Sequence, residues 1–367
     1  MLAYILRRLA LIVPTLVGIM VLNFFIIQTA PGGPVEQMIA QIQGTAVGAT
    51  ERFSGSASGG EVMQRGREGG ESNSTYRGAR GLPPELIKRI EKMYGFDKPI
   101  LERFWLMMKN YAVFDFGDSF FRNQRVVDLV LDKMPVSLSL GLWTTLLVYL
   151  VSIPLGIAKA VRDGSRFDIS SSTALIALNA IPGFLFAVLL VVLFAGGRYF
   201  QWFPLRGLVS DDWHDLGLGA KVADYLWHMV LPITSMVVGG FAGLSFLTKN
   251  SFVEEIGKQY VMTARAKGLT EGRVLYGHVF RNAMLIVIAG FPSAFVGALF
   301  TGALLTEVIF SLDGLGLLGF EAAINRDYPV IFGTLYFFGL LGLVMNLVGD
   351  LIYTVVDPRI DFTARAA

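Results

Sequence analysis

Long apolar stretches alternate with polar segments along this chain of 367 residues. A helix needs about 20 apolar residues to cross a lipid bilayer, and six stretches of the sequence reach that length. They are residues 9–30, 135–158, 169–197, 225–248, 282–306 and 328–349. The pattern therefore predicts an all-α polytopic membrane protein with six transmembrane helices.

A long polar segment, residues 31–134, separates the first span from the other five. It begins at Pro31-Gly-Gly-Pro, which breaks the helix because proline lacks a backbone donor and clashes with the preceding turn. Residues 44–81 are rich in Gly and Ser and have few large apolar side chains, so we expect a mobile insertion there. Apolar spacing predicts helices over residues 83–93 and 100–111. We expect a small helical domain on the periplasmic side.

The distribution of Lys and Arg predicts which side each loop occupies. Arg7 and Arg8 precede the first span, and short loops with an excess of such residues stay in the cytoplasm. The loop at 249–281 carries six Lys or Arg against three acids. Residues 1–30 then form a cytoplasmic N-terminus and the first span. Residues 135–356 form the five-helix core, and the tail 357–367 is cytoplasmic.

Composition excludes several other functions. Only 16% of residues are charged and 53% are hydrophobic, whereas soluble domains average about 25% charged. The chain has no cysteine and three widely separated histidines, which leaves no thiol chemistry and no obvious metal site. Its charges form no basic block of the kind that binds nucleic acid. It has no phosphate-binding G-x-x-x-x-G-K-[ST] loop, so any ATP that drives its function must bind another chain.

The polar loop at 249–281 contains a short segment with small side chains. Residues 260–268 read YVMTARAKG, where small residues let a helix lie close against another surface. Gly268 stands where that helix would stop or turn sharply. The segment is either an ordinary amphipathic loop or a ridge on which a soluble partner docks.

Residues 263–269 (TARAKGL) and 278–283 (HVFRNA) resemble the coupling motif, called EAA, of binding-protein-dependent ABC importer permeases. The glutamate of the general motif falls at Met262, where this chain departs from it. A literal Glu-Ala-Ala at 321–323 is a decoy, because the topology puts it in a loop outside the cell. The stretches YILRRLALIVPTLVGIMVLNFFIIQTAPGGPV, FDFGDSFF, FSLDGLGLLGF and VDPRIDF are similar to the dipeptide and oligopeptide branch of that family. The Gly/Ser-rich insertion and SNSTYRGARGL resemble its Yej-type members.

This resemblance implies the type I ABC importer permease fold and a function in the bacterial inner membrane. It implies import of oligopeptides, and of peptide conjugates such as microcin C, without catalysis by this chain. The expected partners are a second permease, ATP-binding cassette subunits that bind ATP and Mg²⁺, and a periplasmic substrate-binding protein. The residues expected to couple to the ATPase are Thr263, Ala264, Arg265, Ala266, Lys267, Gly268 and Leu269.

Two alternatives have distinct requirements. A secondary, ion-coupled peptide transporter needs an ionisable residue inside a span, and none lies near the centre of the six. Glu307 and Asp350 lie at span ends, where solvation or a helix-terminal partner is expected. The G-x-G-x-x-G pattern at 314–319 would bind a dinucleotide only within a βαβ unit. After a membrane span it predicts a tight loop at the outer mouth instead.

Overall fold

The computed structural model describes residues 2–29 and 97–356, with gaps at 120, 123, 198, 301 and 302, and also residues 85 and 88. The described part is helical, and its one β-bridge, between Asp118 and Arg125, is isolated. The Gly/Ser-rich segment 44–81, most of the predicted helix at 83–93 and the tail 357–367 lie outside the described residues. Glu85 and Lys88, within that predicted helix, are helical.

The helices follow the apolar pattern of the chain, with bounds that differ from the predicted spans mainly at their ends. In chain order they are α1 (Leu2–Thr29), α2 (Ile100–Ala112), α3 (Val126–Val161), α4 (Arg166–Asn179), α5 (Gly183–Phe194), α6 (Leu218–Ile256), α7 (Gln259–Ala266), α8 (Glu271–Val274), α9 (Phe280–Phe300), α10 (Ala303–Ile309), α11 (Leu315–Asn325) and α12 (Tyr328–Val356). A π-helical turn (Leu275–Val279) joins α8 to α9, and Trp213–Asp215 forms a short 3₁₀ turn.

Five helices of the described part are long and apolar enough to cross a membrane, and a bent pair can supply a sixth span. The third predicted span, 169–197, is this pair: α4 and α5 meet at 85°. The sequence pattern predicted a span here but not this sharp bend. Pro182 cannot continue a helix and pushes Ile181 away from helical geometry, so the chain breaks before α5 begins.

The segment Glu307–Asp327 also differs from the expected loop. Leu315–Asn325 forms α11, so the G-x-G-x-x-G pattern opens a helix rather than a tight loop. The Glu-Ala-Ala at 321–323 is likewise helical. Glu321 accepts a hydrogen bond of 2.5 Å from Arg122 in an exposed ion pair.

The chain divides into two compact units. The larger unit comprises Met1–Leu11, Lys133–Leu317 and Leu340–Ala367. It contains two buried apolar clusters, one around Leu140 and Met229 and the other around Phe252 and Val279. The smaller unit comprises Ile12–Asp132 and Leu318–Gly339. Its interior is aromatic, with the rings of Tyr111 and Phe116 4.6 Å apart.

Candidate functional site

The predicted docking segment forms the short helix α7, which is seated on the larger unit by one face. Val261 and Ala264 are buried and point into an apolar cluster. This cluster, which we call the socket, is formed by Ile157, Ala160, Phe252, Val261, Ala264, Val274, Val279, Ala283, Met284 and Val287. Ala264 has only a methyl group, so the α7 backbone can lie close to its neighbours. The socket draws residues from α3, α6, α8 and α9, and it therefore connects α7 to three long helices.

Gly268 ends α7 as the sequence predicts. Its φ of +80° is the left-handed conformation that residues with a Cβ rarely adopt. The Gly268 N–H donates to the Arg265 carbonyl at 2.9 Å, and the Leu269 N–H donates to the Ala264 carbonyl at 3.4 Å. These two bonds form a Schellman motif, which satisfies carbonyls at the helix end. Leu269 then turns back to pack against the socket.

The opposite face of α7 is open. Met262 is 56% exposed, and Thr263, Arg265, Ala266, Lys267 and Gly268 are also exposed. We call residues 262–268, apart from the buried Ala264, the ridge. Of the seven predicted coupling residues, the structure therefore places five on this open surface, while Ala264 is buried and Leu269 is half-buried.

Arg265 has a partner within the chain. Its guanidinium donates two hydrogen bonds to the Glu271 carboxylate, at 2.9 and 3.1 Å, and these bonds raise the pKa of Arg265. The pair is exposed, so it contributes little to stability, but its two parallel bonds orient the side chain. The pair braces the end of α7 against the start of α8.

A buried ion cluster beside the socket was not found by sequence reasoning. Lys159 is fully buried; its Nζ donates to Ser172 at 2.6 Å and lies 3.7 Å from the Asp168 carboxylate. Lys249 donates to Asp168 at 2.6 Å and lies 2.9 Å from Asp163. The cluster joins α3, α4 and α6, and Asp168 is its hub. The one feature of the sequence that points to this region is the spacing of Ser165 and Asp168, which is typical of a helix start. The Ser165 hydroxyl caps α4 by accepting a hydrogen bond from the Asp168 N–H.

Glu307 occupies a second buried polar site. Its carboxylate accepts hydrogen bonds from the Ser137 hydroxyl at 2.9 Å and from the Leu317 N–H at 2.7 Å. The Leu315 N–H donates to the same Ser137 hydroxyl at 2.8 Å. Burial raises the pKa of the Glu307 carboxyl, and the two bonds that it accepts counteract this shift in part. Glu307 thus accepts a hydrogen bond from the first turn of α11, so its partner is a helix terminus. A helix-terminal partner is one of the two expectations for a carboxylate at a span end.

The larger unit also contains an apolar cleft of about 600 Å³ between α3, α5, α6, α9 and α10. Gly239, Gly240 and Gly243 of α6 form one wall, and no charged side chain lines it. Thr145 contributes a buried hydroxyl without a hydrogen-bond partner. An uncharged wall of small residues suits either the close approach of another helix or the passage of a substrate.

Several helices of the described part are long and apolar enough to cross a membrane, which defines an integral membrane protein. A small helix is held in the socket by one face and is open on the other. Residues 152–362 match the family model described as "Binding-protein-dependent transport system inner membrane component". The chain belongs to this family, and it is the permease subunit of an ABC importer rather than an enzyme. An ATPase, a substrate-binding protein and a second permease are the partners that this family implies.

Relatives cover almost the whole chain. The peptidoglycan transport system permease protein YejB of Agrobacterium fabrum is 62% identical over 365 residues, which is 99% of each chain. The inner membrane ABC transporter permease protein YejB of Escherichia coli O157:H7 is 58% identical over 99% of this chain and 100% of its own. The oligopeptide transport system permease protein AppB of Bacillus subtilis is 33% identical over 99% of this chain and 100% of its own. These relatives give no support to the ion-coupled alternative.

Proposed function

We propose that this chain is one of two membrane subunits that carry oligopeptides into the cell at the expense of ATP. The names of its relatives support a peptide cargo, since one is an oligopeptide permease and another is assigned to peptidoglycan, whose stems are peptides. Peptide conjugates such as microcin C share the peptide backbone and belong to the same proposed substrate class. The apolar cleft contributes this subunit's wall to the pathway, and the second permease closes it.

The geometry of α7 is the observation that carries the proposal. An ATP-binding subunit docks on the ridge, and the socket passes its movement to α3, α6 and α9. Because Val261 and Ala264 are buried, a push on α7 is transmitted by packed atoms rather than by a flexible loop. ATP then has only to favour one of two conformations of the bundle.

The proposed orientation places α7 and both chain termini in the cytoplasm. Arg8 at the start of α1 lies 3.0 Å from Asp350 near the end of α12, which supports termini on one side of the membrane. On the other side, the substrate-binding protein contacts the segment 31–134 and the region Glu307–Asp327.

Reconstitution with the partner subunits tests the proposal. Uptake of labelled oligopeptide into vesicles should require ATP and the binding protein, and it should persist when the proton gradient is dissipated. Ala266→Trp places a bulky side chain on the ridge and should abolish uptake while the variant still inserts and folds. Ser170→Trp adds the same side chain at an exposed position of α4 and should retain uptake.

Three results would contradict the proposal. Uptake driven by a proton gradient without ATP would make the chain a secondary transporter. Full ATP-driven uptake by Ala266→Trp would remove the ridge from the coupling path. Uptake of free amino acids or sugars in preference to peptides would refute the proposed cargo.

A further inference from the structure

The helix α2 of the smaller unit has an apolar flank that nothing in the described chain covers. Leu101 and Trp105 are each 71% exposed and lie one turn apart on the helix. A neighbouring face, about 90° around the helix at 100° per residue, is packed, with Tyr111 buried and Phe104 half-buried. Two large exposed side chains on one flank of a 13-residue helix need an environment that accepts them.

The first half of α2 lies at the end of a membrane span. The Phe104 ring packs edge-on against the Phe24 ring, with centroids 5.3 Å apart. Phe24 is the penultimate residue of the candidate span Ile5–Phe25 of α1. Phe104 therefore lies beside the last residues of this candidate span.

The second half of α2 lies beside another span. The Tyr111 ring is 6.5 Å from the ring of Phe332 and 6.1 Å from that of Tyr336, both in α12. The candidate span of α12 begins at Tyr328, so Tyr336 lies about 12 Å further along, at 1.5 Å per residue. The end of α2 therefore packs beside the first turns of α12.

Two of the three charged residues of α2 occupy a separate stripe. Glu102 and Lys109 are seven residues apart and share a face, which lies about 70° around the helix from Leu101 and Trp105 at 100° per residue. Glu102 also pairs with Lys98 at 3.4 Å. A helix with an apolar flank, an adjacent charged stripe and an exposed tryptophan is typical of the interface between lipid and water.

We propose that α2 is an interfacial helix, with Leu101 and Trp105 inserted among lipid acyl chains at the end of α1. The charged stripe of Glu102 and Lys109 faces the headgroups and water. Lipid is the occupant of the flank because the contacts with Phe24 and Tyr336 hold α2 beside two candidate spans. This assignment is independent of what the protein transports.

This chain has no cysteine, so a single introduced thiol is the one labelling site within it and makes a direct test possible. Leu101→Cys and Trp105→Cys carry a nitroxide label in the full chain, reconstituted with its partner subunits in lipid vesicles. The collision rate of each label with oxygen, which concentrates in lipid, is compared with its collision rate with a water-soluble nickel chelate. Glu102→Cys on the charged stripe is the matched control.

Labels at 101 and 105 should collide more with oxygen than with the nickel chelate, and the label at 102 should show the reverse preference. Nickel preference at 101 and 105 would place the flank in water and overturn the proposal. Protection of these two labels from both reagents would mean that a protein partner covers the flank, which would overturn it equally. Because two positions on the flank are labelled separately, the test still holds if one of the two variants misfolds.

Discussion

The carboxylate of Glu307 shows how closely a single side chain fits its neighbours in this protein. A buried carboxylate without partners is costly, and Glu307 avoids this cost through the hydroxyl of Ser137 and the N–H of Leu317. The space for the carboxylate exists because Gly314 and Gly316 have no side chain. A Cβ built on Gly314 would lie 2.2 Å from a Glu307 carboxylate oxygen, well inside van der Waals contact.

The first prediction is that Gly314→Ala destabilises the larger unit. The added methyl group would have to displace the carboxylate or the backbone, and such overpacking costs about 1–3 kcal/mol. Thermal unfolding in detergent should show a lower Tm than the parent protein. Gly319→Ala is the matched control, since a Cβ there meets nothing within 4 Å. An unchanged Tm for Gly314→Ala would mean that the carboxylate is not held as described.

The partners of these polar residues could not have been predicted from the sequence. Asp168 and Lys249 are 81 positions apart, and Ser137 and Glu307 are 170 apart, so only the folded chain brings them together. A carboxylate at a span end was predicted to be solvated or to have a helix terminus as its partner. Which helix it serves depends on α11, and the glycines at its start had indicated a loop instead.

At the scale of elements, α7 depends on its surroundings for stability. Eight residues are too few for a stable isolated helix in water, because nucleation is unfavourable and few hydrogen bonds follow it. The socket supplies apolar contacts on one side, and the Schellman motif at Gly268 satisfies the last carbonyls. Loss of either should loosen α7 before it affects the long helices.

The second prediction concerns this helix end. Gly268→Ala forces a residue with a Cβ into φ +80°, which costs about 1–2 kcal/mol. Hydrogen exchange over residues 259–269 should accelerate roughly tenfold, since 1.4 kcal/mol corresponds to a factor of ten. Peptide-stimulated ATPase activity and uptake should become uncoupled in the assembled transporter.

Gly272→Ala provides the control for this prediction. Gly272 lies in α8, has no left-handed backbone and would place its Cβ in open space. Its exchange and uptake should match those of the parent protein. Equal exchange in the two variants would show that α7 does not depend on the left-handed turn.

Sequence patterns predicted the helices better than the breaks between them. The predicted helix at 100–111 is confirmed by α2, and the predicted stop at Gly268 is confirmed by the end of α7. The break at Pro182 was missed because proline is tolerated within membrane helices when neighbours satisfy the freed carbonyls. The glycines of α11 indicated a loop because their weak helix preference was considered without tertiary contacts.

At the scale of the whole molecule, the path of the chain through the membrane depends on the α4–α5 pair. If the pair crosses as one bent span, six crossings result and both termini lie on the same side. If it returns to the side from which it entered, only five crossings remain. The Lys and Arg of the loops favour six, because three of them lie within the short stretch 159–166 at the start of the pair. The longer segment 198–224 after the pair also holds three, but spread over 27 residues.

The last prediction decides between these paths by means of single cysteines in the cysteine-free chain. Arg162→Cys and Asp211→Cys are exposed positions on either side of the α4–α5 pair, and Thr263→Cys lies on the ridge. In intact spheroplasts, a membrane-impermeant maleimide should label only position 211, because one crossing separates it from position 162. Positions 162 and 263 should react after permeabilisation. Labelling of 162 and 211 from the same side would make the pair a re-entrant loop. Labelling of 263 in intact spheroplasts would place the ridge beyond the reach of a cytoplasmic ATPase, and the coupling role proposed for α7 would then fail.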